Sequence, residues 1–226
     1  MEVQELHSES LEYLVIYPDS YDSGQRYPLV ILLHGFGANM YDLASLAPAI
    51  DRQRYIYLCP NAPLKDPVAL GMSGRAWMPI SKHTTASDIS KPETIIAEFI
   101  EEMVALYSPE ISQVVLCGFS QGGMMTYQVG LPRPDNFAGL AILSGRIANS
   151  NALSGCLPIT RDLQIFIAHG TEDPIISVEE ARDSKRFLQG HGYQPQYHEF
   201  HIAHGISQDV LDMLGPWIHQ VLSPSV

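Results

Sequence analysis

Three observations predict an α/β architecture with a mostly parallel central sheet and helices on both faces. Apolar runs alternate with amphipathic stretches along the chain, as they do where strands and covering helices follow one another. Several apolar runs are continuous rather than alternating, which suits parallel strands covered on both faces. One such run ends at a serine, Ser120, with Gly118 and Gly122 two residues to either side and a second apolar segment behind it.

The elements follow in order. Strands are predicted over 11–17 and 29–33, the second being the unbroken run Leu-Val-Ile-Leu-Leu. A helix over 42–49 leads to a strand over 55–59, closed by Pro60. The stretch 61–87 is rich in Gly, Pro and Ser and reads as a long loop, a kind of segment that is often functional. Ser90 and Glu93 have capping-box spacing and predict a helix over 92–107. The strand 114–119 and helix 121–131 flank Ser120, and Pro132 and Pro134 stop that helix. Strands follow over 139–143, 163–168 and 196–200. Between the last two lies a helix over 178–189, opened by Ser177 with Glu180, and a final helix covers 207–221. No repeat, low-complexity tract or linker interrupts the chain. Its 226 residues, 46% hydrophobic, are therefore expected to form a single domain over 1–226.

Composition narrows the function. Charged residues make up 17% and the formal net charge is −12, which argues against a nucleic-acid partner and against docking on anionic lipid. No apolar run is long enough to span a bilayer, so stable membrane insertion is not expected. The N-terminus lacks the basic and apolar regions of a signal peptide. Cys59 and Cys117 fall in predicted strands and no C-x-x-C pair occurs, as for reduced thiols in a cytoplasmic protein.

The chemistry centres on Ser120. A serine at a sharp strand-to-helix turn presents its Oγ beside the unpaired N–H groups of a helix start. It needs a base, and the base needs an orienting acid, in the chain order Ser, acid, His. Asp173 follows the strand 163–168 in the turn His169-Gly170-Thr171-Glu172-Asp173-Pro174 and is the expected acid, with Glu172 as alternative. Histidines 191, 198, 201 and 204 crowd the last strand. His204 is best placed, because the strand has ended and the final helix is about to begin; His201 is second. The spacing of His198, His201 and His204 matches no zinc motif, so no metal is expected. His34 and His169 each close a strand before a glycine and read as structural. Backbone donors for an oxyanion are expected at Gln121 and at Phe36, in the early loop His34-Gly35-Phe36-Gly37.

Together these residues resemble the carboxylesterase/phospholipase family of α/β-hydrolases that includes the acyl-protein thioesterases. The resemblance rests on Leu33-His34-Gly35-Phe36-Gly37, Pro60-Asn61-Ala62-Pro63, Arg75-Ala76-Trp77, Gly118-Phe119-Ser120-Gln121-Gly122-Gly123, Leu143-Ser144-Gly145, His169-Gly170 with Asp173, and His204. It implies an α/β-hydrolase fold without a large cap domain. It also implies a Ser120–Asp173–His204 triad, Phe36 and Gln121 as oxyanion donors, and hydrolysis of carboxylic esters, thioesters or lysophospholipids without a cofactor. Trp77 is followed by Met78-Pro79 where the family often has an aromatic residue and Asp, and Ala38 stands where an Asp is common. Leu64, Leu70, Met72, Trp77 and Met78 either line an acyl channel or anchor the long loop to the core. The expected partner is a small-molecule ester; a homodimer is allowed.

Overall fold

The computed structural model describes residues 1–65, 74–79, 85–109 and 113–223. Its central sheet takes in β1 (Glu2–His7), β2 (Glu12–Tyr17), β3 (Leu29–Leu33), β4 (Ile56–Pro60), β7 (Val114–Phe119), β8 (Gly139–Leu143), β9 (Gln164–Gly170) and β10 (Gln196–Phe200). The strand order is β1-β2-β4-β3-β7-β8-β9-β10. From β4 to β10 every pairing is parallel; β2 runs antiparallel to both of its neighbours. Two short strands, β5 (Leu64–Lys65) and β6 (Arg75–Ala76), pair antiparallel to each other outside this sheet. The helices are α1 (Ala47–Ile50), α2 (Ala86–Tyr107), α3 (Gln121–Gly130), α4 (Ser150–Ser154), α5 (Val178–Gly190) and α6 (Gln208–Leu222). This is the α/β-hydrolase fold.

Strand alternation divides the core in two. Leu29, Ile31 and Leu33 of β3 pack with Ile96, Phe99 and Met103 of α2 and Met125 of α3. Val30 and Leu32, one residue out of phase, pack with Val210, Leu214 and Trp217 of α6. Both faces of the middle strands are therefore buried, which is why β3, β4 and β8 read as continuous apolar runs.

The structure departs from the sequence expectation in several elements, among them α4 and the pair β5 and β6 inside the expected loop 61–87. β1 was not foreseen: it is polar and almost wholly exposed, and its place comes from the ladder with β2 rather than from burial. Helix α2 begins at Ala86, a turn and a half before the predicted start. Thr85 Oγ1 accepts from the Asp88 N–H and the Asp88 carboxylate accepts from the Thr85 N–H. That capping box prevails over the Ser90–Glu93 pattern, leaving Ser90 and Pro92 inside the helix. The predicted helix 42–49 is a 3₁₀ turn, Leu43–Leu46, running into the four-residue α1. Ser207 caps α6 rather than joining it, its Oγ accepting from the Val210 N–H.

Candidate active site

The turn after β7 explains the glycines around Ser120. Ser120 has φ +54°, a left-handed value that side chains rarely adopt. A Cβ at Gly118 would stand 2.3 Å from the Gly122 carbonyl, and one at Gly122 would stand 2.0 Å from the Leu33 carbonyl oxygen. Both positions exclude any side chain, and their bareness lets α3 start directly over the ends of β3 and β7.

Two loops from the far side of the sheet meet this turn. After β9 the chain turns at Asp173, whose Oδ1 accepts from the Ile175 and Ile176 N–H groups at 2.8 and 2.9 Å. After β10 it turns back through Ile202 and Ala203, whose carbonyl oxygens come so close to Gly170 that a Cβ there would lie 2.3–2.4 Å away. The Thr171 and Glu172 N–H groups bond the Phe200 and Ile202 carbonyls and staple the loops together. His204 is thereby set between acid and serine. Its Nδ1 lies 2.6 Å from Asp173 Oδ2 and its Nε2 lies 2.8 Å from Ser120 Oγ. Its ring rests on Phe119, centroids 4.9 Å apart. Burial pushes the Asp173 carboxyl upward, but the hydrogen bonds from His204, Ile176 and Ile175 outweigh it and hold the group below its ordinary value.

The alternative residues lie elsewhere. His201 and Glu172 are both exposed and face each other on the surface, 3.4 Å apart. His198 is half-buried against Phe166, and burial lowers its pKa. Thus His198, His201 and His204 have separate surroundings and do not converge on one point. His169 is more than a strand terminator. Its fully buried Nε2 donates to the Ile176 carbonyl at 2.8 Å and stands 3.4 Å from Asp173 Oδ2, so it packs behind the acid.

On the serine's other side, Gly35 is close enough that a Cβ would touch Phe119 at 3.2 Å and the Ser120 Cβ at 3.4 Å. The Phe36 N–H beside it has no acceptor among the described residues. Gln121 opens α3, where the first N–H groups lack intrahelical partners. Trp77 and Met78 are buried in the core and take the anchoring role. Leu70 and Met72 lie outside the described residues. Leu64 is exposed on β5.

His34 sits beneath this loop. Its Nδ1–H donates to the Gly35 carbonyl at 2.7 Å and its Nε2 accepts from the Ala62 N–H at 3.1 Å, so both nitrogens are used by the neutral ring. Burial lowers its pKa from 6.5 to about 4. The unfolded chain takes up a proton here near 6.5 while the folded chain resists down to about 4, so acid favours unfolding across that window. The contribution is about 3 kcal/mol, present above pH 6.5 and lost as pH falls toward 4. Urea unfolding midpoints measured from pH 7 to pH 4 should show it as a decline that His34→Gln flattens. An equal slope in that variant would assign the decline to other groups.

Comparison with known proteins identifies the family and the fold. The sequence matches the phospholipase/carboxylesterase family over residues 21–222. It is 28% identical over 185 residues to acyl-protein thioesterase 1 of Kluyveromyces lactis, covering 75% of this chain and 79% of the relative. It is 26% identical over 226 residues to a probable carboxylesterase of Oryza sativa subsp. japonica, covering 94% and 84%. The crystal structure of the Bacillus cereus carboxylesterase superposes with a TM-score of 0.79 over 94% of this chain and 95% of that one, at 19% identity, a likeness of fold. With a family match that begins before β3 and ends within α6, the chain belongs to the phospholipase/carboxylesterase family of α/β-hydrolases.

Proposed function

We propose that this hydrolase cleaves carboxylic esters of small to medium acyl groups through an acyl-enzyme formed on Ser120. The observation that carries the reading is the unbroken chain of hydrogen bonds from Asp173 through His204 to Ser120 Oγ. In the first step Ser120 Oγ attacks the ester carbonyl carbon and His204 Nε2 takes its proton. The negative charge that develops on the carbonyl oxygen is met by the N–H groups of Gln121 and Phe36. Collapse expels the alcohol, which leaves with the proton from His204. Water then attacks the acyl-enzyme, His204 again taking and returning the proton, and the acid is released. Asp173 keeps the Nδ1–H tautomer in place and stabilises the imidazolium. These steps need only side chains, backbone donors and water. Phe36, in the loop after β3, and Ile175, two residues past Asp173, are exposed apolar side chains, and they favour an apolar acyl group.

The similarity to a protein named acyl-protein thioesterase favours a second reading, with a thioester as substrate. A fluorophosphonate probe followed by peptide mapping tests the common core: Ser120 should carry the label. Matched acyl esters and thioesters of increasing chain length then separate the readings, with faster ester turnover expected. Faster thioester turnover at every length would favour the second. No label on Ser120 would leave a ligand-binding relative of hydrolases.

A further inference from the structure

The two proposed oxyanion donors belong to different loops. Phe36 follows β3 and Gln121 follows β7; the strands are in register up to Leu33 beside Gly118 and then part. Past that point the loops are joined through residues 75–78. Arg75 makes a two-way backbone pair with the Phe36 loop, its N–H donating to the Ala38 carbonyl at 2.7 Å and its carbonyl accepting from the Gly37 N–H at 2.9 Å. Trp77 Nε1–H donates to the His34 carbonyl at 2.9 Å. The same segment is tied to the serine turn by one side chain. Gln121 Oε1 accepts from the Trp77 N–H at 2.7 Å, and Gln121 Nε2 donates to the Met78 carbonyl at 2.8 Å. The outer end is held by Glu12, which accepts from the Arg75 guanidinium and from Asn61 Nδ2, while Asn61 Oδ1 accepts from the Met40 N–H.

We propose that the Gln121 side-chain amide is a positioning residue that locks segment 75–78 onto the serine turn and thereby fixes the spacing of the Phe36 and Gln121 N–H donors. The inference rests on the serine-hydrolase reading above. The place calls for an uncharged group that accepts from one backbone group and donates to the next, as the Gln121 amide does. Both bonds are buried, so truncation leaves the Trp77 N–H and the Met78 carbonyl without partners. The segment is then free to shift, and the Phe36 loop moves with it. A displacement of about 1 Å at such a donor costs up to ~10²-fold in rate.

Gln121→Met keeps length and bulk but makes neither bond. At a temperature where circular dichroism shows it folded, kcat should fall by about 10- to 100-fold with little change in KM. A boronic acid that mimics the tetrahedral intermediate should lose affinity by a similar factor. Gln121→Glu supplies a second arm that tolerates a folding defect in the first. Its carboxyl copies the amide when protonated and repels the Met78 carbonyl when ionised. The ratio of its kcat to the wild-type value should therefore fall as pH rises. Unchanged kcat in Gln121→Met, or a flat ratio near one in Gln121→Glu, would overturn the inference. Failure of the wild-type protein to label at Ser120 would instead overturn the serine-hydrolase reading beneath it.

Discussion

Ser120→Ala, Asp173→Asn and His204→Ala are each expected to fold and to lose about 10⁴-fold or more in kcat, and the losses should not add. The reason lies in the series geometry of the site. His204 Nε2 can take the serine proton only while Nδ1–H points at Asp173 Oδ2, so removing any member leaves the other two idle. Asp173→Asn keeps the shape but offers an N–H or a neutral carbonyl where an anion stood, and the imidazolium loses its counter-charge. The Ile175 and Ile176 N–H groups still need an acceptor, which the Asn carbonyl oxygen supplies, so the turn survives. His201→Ala is the control. Its imidazole is on the surface beside Glu172, and its removal should change kcat little. Single-turnover kinetics of the variants check the ordering, and an equal loss in His201→Ala would assign the base to the wrong histidine.

Gly122→Ala should be the most destabilising single methyl group in this part of the chain. Its Cβ would stand 2.0 Å from the Leu33 carbonyl oxygen, which is backbone of a central strand and has no rotamer to yield. Relief requires α3 to lift away from β3, at a cost of more than about 3 kcal/mol. Gly190→Ala provides the contrast, since a Cβ there meets nothing within 4 Å and the residue ends a helix. Its stability should stay within about 1 kcal/mol of wild type. Urea unfolding of both variants makes the comparison. Similar midpoints would mean that the crossing of helix and strand is softer than its contacts imply.

The middle of the sheet was legible because its physics is local to each strand. A segment buried on both faces must be apolar throughout, and β3 and β8 are. β1 was not, because its residues are mostly polar and exposed and its position is dictated by a partner strand. The start of α2 was misplaced because two overlapping patterns both satisfy capping rules, and Pro92 favoured the wrong one; nothing between 85 and 93 says which pattern the tertiary structure will use. Ser120, Asp173 and His204 could be read from their order and from the ends of strands that carry them. The Gln121 amide could not. Its partners lie 43 and 44 residues earlier, and they are backbone groups, which carry no mark of residue type. Asn61 and Arg75 stood in recognisable motifs, but their shared dependence on Glu12 appears only once β2 is beside β4.

The strand order gives the site an uneven mechanical footing. Ser120 hangs from β7, the fifth of eight strands, whereas His204 follows β10, an outermost strand bonded along one side only. Edge elements open more readily than central ones, because fewer contacts must break together. Fraying of β10 would carry the imidazole away while the serine turn stayed intact under α3. Heat or mild denaturant would then silence catalysis before the sheet as a whole gives way, and cooling would restore it by re-docking one strand rather than by refolding the chain.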